Sequence, residues 1–242
     1  MKDWCLEVWG DYACFSRPEM KVERVSYDVM TPSAARAIFD AVLWKPSIYW
    51  HITKIEVLNQ IKWMSVRRNE VGKIASGPNQ AQLDGKNGEP MGINIEDARQ
   101  QRAGLFLRDV CYRIHAWFEF IPSEKRKPHY NRYKEVWADS GEANDLARAD
   151  DSEAKYAAMF DRRARKGQCF HRPYLGCREF ACYFKLVEDT AAAKAISVSD
   201  DLGWMLYDMN YDDPADIRPE FFRARLENGV VNTDRRVVEV RS

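Results

Sequence analysis

The 242-residue chain predicts an α+β fold of ferredoxin-like βαββαβ order, and three features carry that reading. Residues 110–120 alternate strictly. Val110, Tyr112, Ile114, Ala116, Phe118 and Phe120 face one way, and Cys111, Arg113, His115, Trp117 and Glu119 face the other, the period of a half-buried strand. Two stretches carry helix signals at both ends: Thr31 and Pro32 with Pro46, and Asp151 and Ser152 with Gly167. Strand patterns stand before, between and after them, in the order strand, helix, strand, strand, helix, strand.

Taken in order, residues 4–10 place Leu6 and Val8 on one face and read as the first strand. The turn-rich stretch 11–30 holds Arg17, Lys21 and Arg24. Thr31 is a candidate N-cap, and Pro32 takes the first helical position, where its missing N–H costs nothing. Ala35, Ile38, Phe39 and Val42 recur at i, i+3, i+4 and i+7 and give that helix one buried face; Pro46 ends it. Ile48, Trp50 and Ile52 alternate within 47–58, a second strand, and its continuation to Val71 predicts a further strand or hairpin. Residues 72–97 contain Gly, Asn and Pro with weak periodicity and read as a loop or β-hairpin insertion. An insertion that long is more often functional than idle.

A second polar insertion, 122–151, is rich in Lys, Arg and Asp. Ser152 or Asp151 then caps a helix running to about Lys166, with Gly167 at its C′ position and Tyr156, Met159, Phe160 and Arg163 on its inner stripe. Residues 179–187 alternate and bury Phe180, Cys182, Phe184 and Leu186. Residues 202–211 and 230–240 read as strands. The expected organisation is a ferredoxin-like domain over 1–195, with insertions near 72–97 and 122–151, and a small acidic C-terminal β region over 196–242.

Composition narrows the function. A chain of this length buries roughly 70–75% of its unfolded surface and builds a core without metal or disulfide staples. Hydrophobic residues at 45% and aromatics at 12% exclude a disordered chain. No apolar run approaches the roughly 18 residues of a membrane span. The opening MKDWCLEVWGDY carries charge inside its first apolar stretch rather than a signal-peptide pattern. The expectation is a cytoplasmic protein with no membrane partner. Basic and acidic residues balance at 37 each, yet from residue 188 onward twelve acidic face seven basic residues, so the tail is −5 and the remainder +5. Such separation suits a chain one part of which meets an anion.

Six cysteines include no CxxC pair and the four histidines are far apart, so neither a zinc site nor a cofactor is expected. Cys5, Cys111 and Cys182 fall in apolar strand patterns and read as small buried hydrophobes. No GxGxxG follows a strand, and GxxxxGK[ST], GxSxG and HExxH are absent. The carboxylate pairs Asp150–Asp151 and Asp212–Asp213 read as solvated or capping rather than metal-binding.

The basic residues are the informative ones. Lys155, Arg162, Arg165 and Lys166 share one helix face, Arg163 and Arg172 add to it, and Asp161 is the one nearby acid. Guanidinium forks suit phosphate. A solvated face, with cations favoured at a helix C-terminus, is an equal alternative. Arg67 and Arg68 stand at a strand end, Arg99 and Arg102 precede the third strand, and Lys45 and Arg178 complete the set. Arg113, His115 and Trp117 share a strand face. RRM-like sheets stack bases and hold phosphates with such a face, although Trp117 under a helix would be plain core. His129 in the second insertion and His171 beside Arg172 are candidate general bases because imidazoles titrate near neutrality, whereas His51 in the second strand reads as packing against or facing its neighbours. None has a sequence partner that singles it out.

The segments WGDYACFSRPEMKVERVSYDVMTPSAARAIFDAVLWKP, SVRRNEV, RQQRAGLFLRDVCYRIHAWFEF and KGQCFHRPYLGCREF resemble the Cas five family of CRISPR subtype I-C, the Dvulg or d branch. The likeness covers residue 4 to about residue 230 and is weakest in the two insertions. It implies a RAMP-type ferredoxin-like fold and a metal-independent endoribonuclease that cuts precursor CRISPR RNA at the repeat hairpin. It also implies a subunit that stays on the 5′ handle of the CRISPR RNA in the Cascade complex. The implied partners are the Cas seven backbone, the Cas eight large subunit and a small subunit, and no cofactor is implied.

In the implied chemistry the 2′-hydroxyl attacks the scissile phosphate in line, a base takes its proton, a cation stabilises the phosphorane and an acid protonates the leaving 5′-oxygen. Relatives use a tyrosine just before Trp-Lys-Pro and a Lys-His pair opening the second helix. Here Leu43 precedes Trp44, Lys45 and Pro46, and the pair is Lys155 and Tyr156. Lys155 matches and is the leading candidate, as electrostatic stabiliser or proton carrier. Tyr156 offers a hydroxyl, but a phenol of ordinary pKa about 10 is a poor base and its inner-stripe position argues for packing. His129 and His171 are the other catalytic candidates, with Tyr49 behind them. Two readings of different class stand: a nuclease that remains bound, and a non-catalytic handle-binding subunit. Subtype I-C systems characteristically lack the separate Cas six nuclease, which favours the first. A generic RNA-binding protein outside CRISPR is a third reading.

Overall fold

β1 (Trp4–Ala13) continues past residue 10, where the alternation of the sequence stops being clear. The short β2 (Arg24–Val25) precedes α1 (Pro32–Val42). α1 starts as its sequence predicts: Thr31 accepts a hydrogen bond from the Ala34 N–H at 3.3 Å, and Ala35, Ile38, Phe39 and Val42 are buried. β3 (Ile48–Val57) and β4 (Trp63–Val71) follow. The first insertion holds two single-turn helices, α2 (Gln80–Leu83) and α3 (Ile95–Ala98). The computed structural model describes residues 2–242 apart from 21, 75–76, 86–91, 123–150, 189–193, 212 and 214.

β5 (Arg99–Phe120) is a 22-residue strand of which the sequence pattern reveals only the second half. Asp109 explains why. Its φ of 53° puts a non-glycine residue in the left-handed region and breaks the pleat. Asn59 Nδ2 donates to its carbonyl at 2.7 Å and Lys62 meets its carboxylate at 3.2 Å. Before it β5 pairs with β4 and after it with β3, while β1 pairs with it on both sides. The stretch 58–71 is thus a partner of β5 rather than a direct continuation of β3.

α4 (Glu153–Arg165) has Ser152 as its N-cap, accepting from the Lys155 N–H at 3.3 Å, and Gly167 at φ 62° past its end. Tyr156, Phe160 and Ala164 are buried, while Met159 and Arg163 are half-buried. β6 (Tyr183–Val187) is shorter than the alternation predicts because residues 177–180 form a turn, with the Phe180 N–H on the Cys177 carbonyl at 2.9 Å.

β7 (Asp200–Asn210), β8 (Arg218–Glu227), β9 (Val230–Asn232) and β10 (Val240–Arg241) complete the chain. β8 lies where no strand was expected. The expected strand 230–240 is two short strands about a turn that Asp234 closes, its carbonyl accepting from the N–H of Val237 and Val238.

The main path of the sheet is β10-β8-β9-β3-β5-β1-β6, with β7 on β8, and β2 and β4 on β5. Every pairing but β2·β5 is antiparallel. The fold is therefore mixed α/β around a large antiparallel sheet. α1 and α4 share a core with the β3, β5 and β1 strands. Phe160 of α4 stacks on Phe39 of α1 at 5.5 Å and meets Trp4 and Trp50 at 5.5 and 4.6 Å. Both indole N–H groups are satisfied, Trp4 by Asp161 at 2.7 Å and Trp50 by the Leu43 carbonyl at 3.0 Å. β9 joins the C-terminal strands to β3, and Tyr207, Phe222 and Val231 enter the same core. No helix among the described residues is long and apolar enough to cross a membrane.

Candidate functional site

The C-terminal end of α1 is the point at which distant segments meet. Its last carbonyls point away from the helix and need outside donors. The Phe170 N–H bonds the Ala41 carbonyl at 2.7 Å and Arg163 Nη1 bonds the Val42 carbonyl at 2.8 Å. A guanidinium there also suits the negative end of the helix dipole. Just beyond, Ser47 Oγ donates to Asp151 at 3.0 Å. The Tyr156 hydroxyl donates to the other Asp151 oxygen and lies 3.4 Å from Ser47 Oγ. Asp151 and Tyr156 thus anchor the start of α4 to the Trp44–Ser47 turn. The arrangement brings the start of α4, with Lys155 and Tyr156, to the turn that carries Lys45. It brings the loop carrying His171 to the carbonyls of the same helix end.

The individual candidates differ sharply. Lys155 is half-buried in the first turn of α4. Tyr156 is 4% exposed, and its hydroxyl is committed to the Asp151 carboxylate. Leu43, where the resemblance implies a tyrosine, is fully buried. His171 is exposed, beside a Phe170 that is itself 79% exposed. Tyr49 is elsewhere, 3.5 Å from Asp208 with the Arg36 guanidinium over its ring, and burial pushes its phenol up to about 12. His129 and Lys21 lie outside the described residues, as does nearly all of the second insertion.

The basic residues fall into three groups. Arg162, Arg165 and Lys166 are exposed along α4, Arg165 paired with Glu188, while Arg163 turns inward to α1. Arg24, Arg68 and Arg102 converge on Glu70 and Glu179: Arg68 and Arg24 reach Glu179 at 2.6 and 3.2 Å, and both reach Glu70 at 3.5 Å. Arg102 is 3.9 Å from Glu70, and Arg67 and Arg178 are exposed nearby in the chain. Exposed ion pairs of this kind hold only about 0–1 kcal/mol each, so a phosphate can displace the carboxylate.

The third group is Arg113, which is 3% exposed and bonded to Glu7 at 3.2 Å. Burial alone would raise the Glu7 carboxyl, but hydrogen bonds from Lys185 and Arg113 hold it below 4.5. On the same sheet side Trp117 is covered by the His51 ring, stacked at 4.3 Å, and His115 is 3.0 Å from Glu56. Burial pulls both imidazoles below 6.5. The middle of that face is therefore filled with mutually paired charges and covered rings.

Cys14 and Cys177 both touch Ser16 Oγ, at 3.6 and 3.7 Å. A hydrogen bond from the Cys14 thiol pushes the Cys177 thiol down against the cost of burial, with help from Ser16 and the Arg24 charge. Thiolate is the reactive form. Cys177 is thus expected to alkylate with iodoacetamide ahead of the exposed Cys169 at pH 6.5, and Cys14→Ala is expected to remove that lead. Peptide mapping after a timed pulse reads both. Among the described residues no group of three or more His, Cys, Asp or Glu side chains is placed to hold a metal ion.

Comparison with known proteins adds the following. Residues 4–234 match the family described as CRISPR-associated protein (Cas_Cas5). A relative from Mannheimia succiniciproducens named CRISPR pre-crRNA endoribonuclease Cas5d is 44% identical over 233 residues, covering 94% of this chain and 92% of the relative. A relative of the same name from Thermus thermophilus is 38% identical over 228 residues, covering 93% and 81%. A crystal structure of a CRISPR-associated protein aligns over 100% of this chain and 97% of that one at a TM-score of 0.63 and 22% identity. A functionally uncharacterized protein from Streptococcus mutans aligns over the same shares at 0.62 and 21%. The two structures share this fold.

Proposed function

The chain belongs to the CRISPR-associated Cas5 family, in its Cas5d branch of subtype I-C, and from that membership we propose that it is the endoribonuclease that cleaves precursor CRISPR RNA at the repeat hairpin. The observation that carries this is 44% identity across 94% of the chain to a protein named for that activity. After the cut it stays on the 5′ handle as a subunit of type I-C Cascade, beside the Cas seven backbone, the Cas eight large subunit and the small subunit, in the cytoplasm. The order β3-β5-β1-β6 with α1 and α4 packed together supports the ferredoxin-like reading of residues 1–195, with 196–242 as its acidic β extension.

The chemistry belongs at the end of α1. The exposed guanidiniums of Arg162 and Arg165 hold the RNA backbone. The Lys155 ammonium stabilises the phosphorane formed when the 2′-hydroxyl attacks and gives a proton to the 5′-oxygen that leaves as the P–O5′ bond breaks and the 2′,3′-cyclic phosphate closes. His171, exposed on the loop docked to α1, takes the proton of that hydroxyl in place of the side chains replaced by Leu43 and Tyr156. Lysine and arginine supply the positive charge, so cleavage is independent of divalent metal.

The second reading, a handle-binding subunit that does not cut, is favoured by one observation: Leu43 and Tyr156, at the two departures from the family pattern, are both buried. Purified protein with end-labelled repeat RNA in EDTA separates the two. A single cut beneath the hairpin supports the nuclease, and tight binding without a cut supports the scaffold. In either case Arg162→Ala with Arg165→Ala is expected to weaken binding and to flatten the log–log salt dependence by roughly one to two units, as two lost phosphate contacts would. An unchanged slope returns that face of α4 to solvent.

A further inference from the structure

The sheet has a second aromatic surface, away from the helix end. Trp9 and Tyr183 stand directly opposite each other in the β1·β6 register. Their rings are nearly parallel, at 19°, with centroids 6.0 Å apart. On β1, Trp4, Leu6 and Val8 face the helices and are buried, so alternation turns Trp9 to the other side. There Trp9 is 37% exposed and Tyr183 is 52% exposed. β6 ends the sheet on that side.

A cation lies over each ring. The Arg172 guanidinium lies 4.9 Å from the Tyr183 centroid, and Lys185 Nζ lies 5.8 Å from that of Trp9. Glu7, in the next row of the same face, is already neutralised by Lys185 and Arg113. Two part-exposed rings with basic groups over them are complementary to an unpaired nucleobase and its phosphate, the base taking the ring surface that the cations leave open.

The surface also connects to the helix end. Phe170 bonds the last turn of α1, and Arg172, two residues on, lies over Tyr183. Two residues of extended chain span at most about 7 Å. The loop 167–173 therefore runs from the proposed cleavage site, round the edge of the sheet, to the aromatic pair.

We propose that Trp9 and Tyr183 form a base-stacking platform for unpaired RNA next to the cleavage site, with Arg172 holding the adjoining phosphate. This rests on the RNA-processing function above and assigns it a second binding surface. Each stacked base contributes about 1–3 kcal/mol in comparable sites, which is roughly 5- to 150-fold in affinity.

The test uses the full chain and repeat RNA with 2-aminopurine placed at successive unpaired positions. Trp9→Ala and Tyr183→Ala are each expected to weaken binding within that range with an unchanged salt slope, since stacking displaces no counterions. Arg172→Ala is expected to lower the slope, and Trp9→Phe to keep most of the affinity. Wild-type protein should quench 2-aminopurine at one unpaired position, and Trp9→Ala should abolish that quenching. Thermal melts of each variant separate lost binding from lost folding. If wild-type protein binds the RNA and both alanine variants match it within twofold with quenching intact, the platform is wrong and the proposed function stands. If wild-type protein does not bind repeat RNA at all, both fall. If the variants keep their RNA affinity but lose a protein subunit of the complex, the pair is a protein interface and the proposal is overturned.

Discussion

Lys155→Ala is expected to slow cleavage of repeat RNA by about 10²–10³-fold while changing RNA affinity by no more than a few-fold. The size is that of losing one preorganised positive partner for a developing oxyanion. The split between rate and affinity follows from position. Lys155 sits in the first turn of α4, beside the turn that carries Lys45 and Ser47, whereas the exposed arginines lie along the rest of the helix. A cation in a first turn opposes the helix dipole by roughly 0.3–1 kcal/mol, so helix formation does not select lysine there. Removing that opposition favours the helix, so the variant is expected to remain folded, which a thermal melt checks. Single-turnover rates in EDTA, with Kd measured on a 2′-deoxy substrate that cannot be cut, read the two quantities separately. Lys155→Arg should recover part of the rate if charge is what matters. An undiminished rate in Lys155→Ala would remove this residue from the mechanism and leave His171→Ala as the decisive variant.

The second large effect is on stability. Asp208 of β7 receives two hydrogen bonds from Arg36 of α1, at 2.8 and 2.9 Å, and is nearly buried. Removing one member of a buried pair strands the other charge and typically costs about 3–5 kcal/mol. Asp40 keeps its own contact with Arg36 at 3.0 Å, so Asp208→Ala should fall near the lower figure, about 3 kcal/mol. For a chain of this size that lowers Tm by roughly 6–12 °C.

Asp40 behaves oppositely. Burial pushes its carboxyl from 3.8 up to about 6, with Arg36 opposing and Asp208 reinforcing the shift. The folded protein then holds a proton that the unfolded chain has released, so this group lowers stability as pH rises from 3.8 to about 6 and costs most above that. Asp40→Asn should raise Tm at pH 7.5 and lose that advantage below pH 4. Calorimetry of the two variants across that range checks both signs. A drop in Tm for Asp40→Asn at pH 7.5 would mean that its bond to Arg36 outweighs its desolvation.

Much of the architecture could be read from local sequence. The two long helices begin at Thr31 and Ser152 because a side-chain oxygen there meets an orphan N–H three residues on. Val110 to Phe118 alternate because one side meets the helices. Both signals are written within a few residues of where they act. The first half of β5 was hidden because Asp109 reverses the backbone. β8 was not hidden: Phe222, Ala224 and Leu226 are buried between exposed Arg223 and Arg225, the same alternation that marks 110–120, and its strand signal was legible but missed. Of the proposed site, the sequence pattern offered the basic residues as candidates, and the family resemblance singled out Lys155 and supplied the roles.

The sequence by itself determined the chain's class, its two capped helices, most of its central strands and where its basic residues cluster along the chain. Only the tertiary structure decided which of those groups are available. Arg113 is held by Glu7, Arg163 by the end of α1, and Tyr156 by Asp151, while Trp9 and Tyr183 come together across the sheet. Caps and periodicity depend on neighbours in the chain. Availability depends on partners more than a hundred residues away, for all but Tyr156, and those are chosen by strand register and by which face of each helix is buried.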